Sequence, residues 1–480
     1  MRTVKGILFI MLSLLVAACS GPDGQVAEPY MFPDYRDITI PCNIAPLNFR
    51  MKGASRIKVT VEGKKGSYRF SSRGELMQFP IRKWHSMLES EKGASVSVRL
   101  EYRNGSDGTY GKSEFQWTVS DEPIDRYLSY RLIEPAYEVW SEIQIEERDM
   151  ESFRTRFLGD NESAGKSCMN CHTSNKAGTS FMHLRGANGG TVLNRNGKLV
   201  KLNTKTDFTG GAVYGDISKD GRYGVFTTAD IKFAIHSQLD KRMEVYDSRS
   251  DLVVIDLDNL NVSDSPAVTG DEYQETFPCF SADGSVIFFC RSRHFEQPDS
   301  SFNLHYDICA VEFDQKTGRI GDKVITVVPA GENLSFSHLK CSPDGKYLMV
   351  TAAEYGTFPV WHEESENWMI RLSDGSIDVM SSTNAKGADT YHSWSSNSRW
   401  VVFASKRDDN VYGRPYITYV DQNGKTGRPF LLPQSDPDLY GTTLKTYNLP
   451  ELYTEPEDYN AHDIARFYNK VENVNVTYRP

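Results

Sequence analysis

The sequence predicts a mainly β chain: an N-terminal β-sandwich, a short connector, and a C-terminal β-propeller of five blades. Three observations carry this. Ser218-Lys219-Asp220-Gly221, Ser281-Ala282-Asp283-Gly284, Ser342-Pro343-Asp344-Gly345 and Ser395-Ser396-Asn397-Ser398 superimpose, each followed by an apolar run. A tight turn between short strands, recurring at roughly sixty-residue spacing, is the pattern of propeller blades with inserted loops. Upstream, Arg56 to Glu62, Ser95 to Arg103 and Ser113 to Val119 alternate apolar and polar residues at the strand period of two. Tyr and Phe number 25 and 24, and aromatic side chains favour pleated surfaces.

The 480 residues suffice for two or three domains, and 25% charged with 39% hydrophobic residues is ordinary for a globular protein. A formal charge of −10 and the lack of a basic stripe argue against nucleic acid as a partner.

Residues 1–18 are expected to be a signal peptide, with Arg2 and Lys5 ahead of an apolar run from Ile7 to Ala18. Val16-Ala17-Ala18-Cys19 has the form of a bacterial lipobox, which predicts cleavage before Cys19 and lipidation of its thiol. Residues 19–36, with Gly21-Pro22-Asp23-Gly24, are expected to be a tether. Residues 37–120, whose runs are separated by turns such as Asn104-Gly105-Ser106-Asp107-Gly108, suggest an immunoglobulin-like sandwich.

Residues 121–189 are expected to be the connector. Within it, Glu147 to Leu158 reads as a short amphipathic helix, with Met150, Phe153 and Phe157 on one face. Acidic residues gather between Glu134 and Glu162, a candidate docking face for a basic partner or simply a solvated surface. The chemistry is concentrated in Cys168-Met169-Asn170-Cys171-His172. Two cysteines three apart, followed at once by histidine, form the attachment pattern of c-type haem. Each thiol can join one vinyl group, and the histidine then ligates the iron. A zinc site would want a second close Cys or His pair, and the next cysteine is Cys279. One covalent haem c is therefore expected, on Cys168 and Cys171 with His172 as proximal ligand. Phe181-Met182-His183-Leu184-Arg185-Gly186 offers two distal candidates, His183 and alternatively Met182, and Arg185 as a propionate partner. Cys42, Cys279, Cys290, Cys309 and Cys341 do not form a disulfide framework and are expected to be buried thiols.

Residues 190–435 hold the propeller. The four repeats supply four blades, and a hairpin from Thr191 to Leu202 is expected to supply half of a fifth. Residues 436–480 are a tail whose Val471, Val474, Val476 and Tyr478 suggest a strand that closes the ring or packs back on the sandwich.

The repeat quoted from Ser342 resembles the blades of TolB-like propellers. The lipobox, the Cys168 motif, Phe181 to Gly186 and Gly189-Gly190-Thr191-Val192 together resemble a family of haem-bearing, TolB-like lipoproteins of Gram-negative bacteria. Ile44 to Arg50, Ile124 to Tyr127 and Tyr391 to Asn397 extend the likeness over nearly the whole chain. Ile217, Phe280 and Cys341 depart from it where such repeats often carry tryptophan, as Trp394 does. The resemblance implies fold and haem more firmly than activity.

The reading that follows is an exported, membrane-anchored monohaem cytochrome, at the periplasmic face or outer membrane, passing electrons to a redox protein or membrane complex. A haem-dependent oxidoreductase with an open iron, or a binding module in which haem is structural or sensory, are the alternatives. No catalytic triad, phosphate loop or carboxylate pair stands out, so no catalytic residue is assigned.

Overall fold

The repeated turns close on themselves. Ser218 Oγ donates to Asp220 Oδ1 (2.6 Å) and accepts the Tyr223 amide (2.9 Å), while Asp220 Oδ1 also takes the Arg222 amide. The same three bonds recur at Ser281, at Ser342 and at Ser395, where Asn397 replaces aspartate. The left-handed position of each turn is Gly221, Gly284 or Gly345, at φ of 71°, 72° and 72°, or Ser398 at 60°.

A computed structural model describes residues 30–135, 142–166, 168–175, 178–235, 243–294 and 304–479. From Tyr127 onward, six sheets follow among the described residues, antiparallel except for two short parallel edge strands. The first joins Tyr127–Ile133, Gln144–Asp149 and Thr155–Asp160 to Thr446–Tyr453 from near the C-terminus. The second holds Met169–Ser174, Thr179–Leu184, Gly190–Arg195 and Lys198–Asn203. The third holds Ala212–Ile217, Tyr223–Ile235, Met243–Asp256 and Asn261–Ser263. The fourth runs Tyr273–Phe280, Val286–Arg293, Asp307–Asp314, Arg319–Val328. The fifth runs Ser335–Cys341, Tyr347–Ala353, Glu366–Arg371, Ile377–Asp378, and the sixth Asp389–Trp394, Trp400–Ser405, Arg414–Tyr419, Phe430–Leu431.

One edge strand of each sheet faces a common axis: Thr446–Tyr453, then Met169–Ser174, Ala212–Ile217, Tyr273–Phe280, Ser335–Cys341 and Asp389–Trp394. Each packs against the next in that order, and the last packs against the first. The arrangement is propeller-like and closed. It has six sheets where five blades were expected, because the stretch 121–189 is not a bare connector. It contributes three strands of the first sheet and the two innermost strands of the second.

Two further expectations change. Glu147 to Leu158 is not a helix but the end of one strand, a turn and another strand. Asp149 makes the turn by accepting the Glu151 amide and the Ser152 hydroxyl, a local bond that competes with helix. Glu146 and Glu147 also point inward, to Tyr130 on one side and to Arg156 and Tyr453 on the other. These members of the acidic run therefore do not form a docking face. The hairpin from Thr191 to Leu202 is present as the outer half of the second sheet, and the tail adds Val474–Asn475 and Thr477–Tyr478, parallel, to the outer edges of the second and third sheets.

The N-terminal sandwich pairs a three-stranded sheet (Met31–Phe32, Phe49–Met51, Leu76–Met77) with a five-stranded one (Ile38–Ile40, Tyr110–Val119, Ala94–Asn104, Ala54–Glu62, Ser67–Arg73). A helix, Ile81–Ser90, buries Trp84, Met87 and Leu88 against them. Its core is continuous with that of the fifth and sixth sheets: one apolar cluster runs from Trp117 and Trp84 through Met150 to Trp394, Trp400 and Phe403. Polar ties cross the same junction. Asp125 accepts the Ser396 amide (2.8 Å) and hydroxyl, Asn397 Nδ2 reaches the Pro123 carbonyl, and buried Arg148 donates to Gln434 and the Pro433 carbonyl. Two stretches that carry the family resemblance, Ile124 to Tyr127 and Tyr391 to Asn397, thus meet at this junction.

Among the described residues no helix is long and apolar enough to cross a membrane. The signal peptide, Cys19 and most of the tether lie outside the described residues. The free cysteines include buried Cys42, Cys279, Cys290 and Cys309.

Candidate functional site

Every inner strand carries a β-bulge at the same height: between Asn170 and His172, Ala212 and Gly215, Thr276 and Cys279, Ser337 and Lys340, Thr390 and Ser393, Asn448 and Glu451. In four of them the first bulged residue is left-handed without being glycine: Phe277 (φ 50°), His338 (54°), Tyr391 (49°) and Leu449 (46°). Bulges re-aim side chains, and left-handed conformations at residues with a Cβ cost free energy that surrounding packing must hold in place. Here they turn side chains from five strands into an axial cavity of about 310 Å³ that His172 also lines.

The cavity wall is largely aromatic. Tyr214 stacks on Phe277 (4.8 Å between ring centres), Phe358 sits 5.1 Å from Phe277, and His338 lies 4.3 Å from Phe277 and 4.7 Å from Tyr391. Its floor is ionic. Lys340 reaches Glu451 Oε1 (3.5 Å) and Asp216 Oδ1 (3.8 Å), and Glu451 also accepts Thr173 Oγ1 (3.2 Å) and the Ser174 amide (2.8 Å). Burial opposes the Lys340 charge, but the two carboxylates outweigh it and hold its pKa above the usual value. Burial pushes Asp216 up, against the pull of Lys340.

The expected site residues divide. Cys168 and His172 line the cavity, on the face of their sheet that meets the first sheet. One His172 nitrogen contacts Ser129 Oγ (3.2 Å), and the other is buried without a partner. The partnered nitrogen is Nε2 and the partnerless one Nδ1. Burial, helped by Arg131 and Lys340, pushes His172 down to about 4, so the imidazole is neutral and can act as a ligand. The Cys171 backbone sits in the bulge, and its side chain lies outside the described residues.

His183 also lines the cavity, but both its nitrogens are engaged, with Thr191 Oγ1 (2.7 Å) and the Val213 carbonyl (2.7 Å). The carbonyl can only accept, so the ring keeps its Nε2 proton there and Nδ1 takes the threonine hydroxyl. As placed, His183 has no lone pair to offer. Met182 turns the other way, into the apolar layer between the first two sheets with Ile143, Leu158 and Met169. Arg185 is exposed and gives its amide to the Cys168 carbonyl (2.9 Å).

Phe153 and Phe157, from the stretch read as a helix, lie away from the cavity. Tyr214, Phe277 and Tyr391 were missed, and His338 stood out only as one of six propeller histidines, some of which could line the mouth. Each stands four places before the serine of its repeat, and all four are aromatic or imidazole, a signal visible in the sequence.

At the cavity mouth a buried cluster ties the long hairpin of the third sheet to loop 354–365. Glu244 Oε1 accepts from His362 Nε2 (2.9 Å) and Tyr355 Oη (2.8 Å), and Glu364 lies 3.3 Å from His362 Nδ1. The hairpin contributes Met243 and Val245 to the cavity wall, the loop Phe358 and Trp361. Burial lowers the His362 pKa, but the two carboxylates raise it further, for a net upward shift. The stabilisation is thus full below the ordinary histidine value of about 6.5 and is lost as pH rises through the higher folded value. Replacing His362 with Gln is expected to cost about 2 kcal/mol at pH 6 and to remove the decline of stability above neutrality. Urea midpoints of both proteins across this range check it; parallel pH profiles would refute it.

No protein-family model and no curated protein matches the chain. Among solved structures, a prolyl endopeptidase aligns at 14% identity and TM-score 0.32, over 62% of this chain and 35% of its own. The chain thus spans about a third of that protein. The periplasmic gluconolactonase of Pseudomonas aeruginosa aligns at 15% identity and TM-score 0.35, over 64% and 97%. An oligogalacturonate lyase of Vibrio parahaemolyticus aligns at 12% and 0.32, over 70% and 100%. Likenesses this distant carry no activity across, and the propeller-like architecture rests on the sheet order itself.

Proposed function

We propose that this chain is a c-type haem protein: a six-bladed propeller, carried on an immunoglobulin-like sandwich, that holds one haem in its axial cavity and passes electrons to a protein partner. The observation that carries it is the placing of Cys168 and His172 on one cavity wall, with a His172 nitrogen buried and partnerless. Buried polar atoms are rarely left unpaired without a reason, and a metal bond is one such reason. Bound there, haem supplies a one-electron iron couple.

The chain's own residues do the rest. Ser129 orients the imidazole, as outer partners of metal ligands do. Phe277, Phe358 and Leu449 keep the cavity apolar, and Arg131 and Lys406 bring positive charge to its wall, suited to carboxylates such as propionates. The lipobox at Cys19 would anchor the mature protein to a membrane on the exported side, where haem c is attached. The sandwich then acts as spacer between lipid and propeller.

The test is expression with a cytochrome c maturation system, followed by a haem stain on denaturing gels. Wild type is expected to stain, Cys168→Ala and Cys171→Ala each to stain weakly, and the double variant not at all. An unstained wild type, with maturation working on a control cytochrome, would sink the reading.

A further inference from the structure

We infer that His338, on the inner strand of the fifth sheet, supplies the second axial ligand to the haem. The inference rests on the reading just given and deepens it.

Position comes first. In the cyclic order of inner strands, Ser335–Cys341 stands three places from Met169–Ser174 in either direction, so it faces His172 across the axis. Both residues sit at the bulge of their strands, hence at one height along the axis. The left-handed backbone of His338 (φ 54°) turns its side chain to the cavity, which it lines. An L-residue with a Cβ rarely adopts this conformation unless its surroundings impose it.

Chemistry comes second. His338 is 8% exposed, and its Nε2 is buried with no partner. Nδ1 meets Ser337 Oγ at 2.9 Å. A proton on Nδ1, donated to that hydroxyl, leaves the Nε2 lone pair free, which is the tautomer a metal-ligating histidine needs. Phe277, Tyr391 and Phe358 hold the ring from three sides, at 4.3, 4.7 and 6.0 Å between centres.

The rivals lack one element or another. His183 has both nitrogens engaged and lies on the strand next to His172, not across from it. Met182 is in the core. His392 has a partnerless Nε2, but it stands one strand from the facing position, and its ring is directed toward the Met349 and His338 carbonyls.

The experiment uses the full-length haem-loaded protein and two separate readouts: covalent haem by stain and mass, and axial ligation by absorption and electron paramagnetic resonance of the ferric form. Wild type is expected to be six-coordinate and low-spin. His338→Ala is expected to keep its covalent haem, become high-spin and bind carbon monoxide when reduced, with added imidazole restoring the low-spin spectrum. His183→Ala and His392→Ala are expected to stay low-spin. Should His338→Ala fail to fold, His338→Met keeps the test, since methionine ligation is expected to stay low-spin with a raised potential. A low-spin spectrum persisting in His338→Ala, or lost in His183→Ala or His392→Ala instead, overturns the inference and leaves the haem reading standing. A stained wild type that is high-spin does the same. An unstained wild type overturns both.

Discussion

Lys340→Met is expected to destabilise the protein by about 3 kcal/mol at pH 7.5. Lys340 is the cation between Asp216 and Glu451 on the cavity floor, at 3.8 and 3.5 Å. Breaking a buried ion pair by removing one partner leaves the other charge without compensation, which commonly costs about 3–5 kcal/mol. The lower end applies because the cavity leaves the lysine side chain 28% exposed. The sign of the pH dependence follows from the carboxylates. Burial already raises Asp216, and loss of Lys340, which lowers it, raises it further. The folded variant then binds protons more readily than its unfolded chain, so its deficit shrinks as pH falls toward 5. Urea midpoints of both proteins at pH 7.5 and 5 measure this. A variant within about 1 kcal/mol of wild type at pH 7.5 would show that the floor is hydrated rather than ionic.

Trp400→Ala is expected to cost about 4 kcal/mol, from lost burial and the cavity left behind. The indole is completely buried, its Nε1 donates to the Glu122 carbonyl (3.0 Å), and Tyr419 packs on it with ring centres 5.1 Å apart. Glu122 belongs to the segment that leaves the sandwich, so this one side chain fastens the two halves. Because the core is continuous across the junction, both halves are expected to loosen together. Hydrogen exchange should rise in Ala94–Asn104 as well as in Trp400–Ser405. Unchanged protection in the sandwich strand would mean that the two halves are energetically independent.

How much of this could be read beforehand depends on the range of the interactions. The four repeats were legible because their Ser, Asp and Gly satisfy one another within six residues, so the device is written locally. The first two sheets lack that turn. The inner strand of the first, Thr446–Tyr453, pairs with Tyr127–Ile133 through long-range contacts that no local pattern announces. The spacing of Met150, Phe153 and Phe157 suggested a helix face, yet Met150 is buried in the shared core and Phe157 is exposed. The place of the Cys168 motif was not legible: it lies on an innermost strand, not in a linker. The named candidates for a distal ligand were near in sequence, at His183 and Met182, with a remote ligand or an open site left unassigned, whereas a ring of strands brings residues to one axis whatever their separation.

The first sheet borrows its axial strand from near the end of the chain, and this imposes an order on biogenesis. Thr446–Tyr453 supplies Leu449, Pro450 and Glu451, one whole side of the cavity. The other five sides are synthesised earlier and wait as an open arc, with the first and second sheets lacking the strand between them. Synthesis of Thr446–Tyr453 therefore marks the moment at which the cavity acquires its final wall. Anything too large for the finished mouth has to enter while the arc is still open, so ring closure sets the size limit of whatever the cavity can admit afterwards.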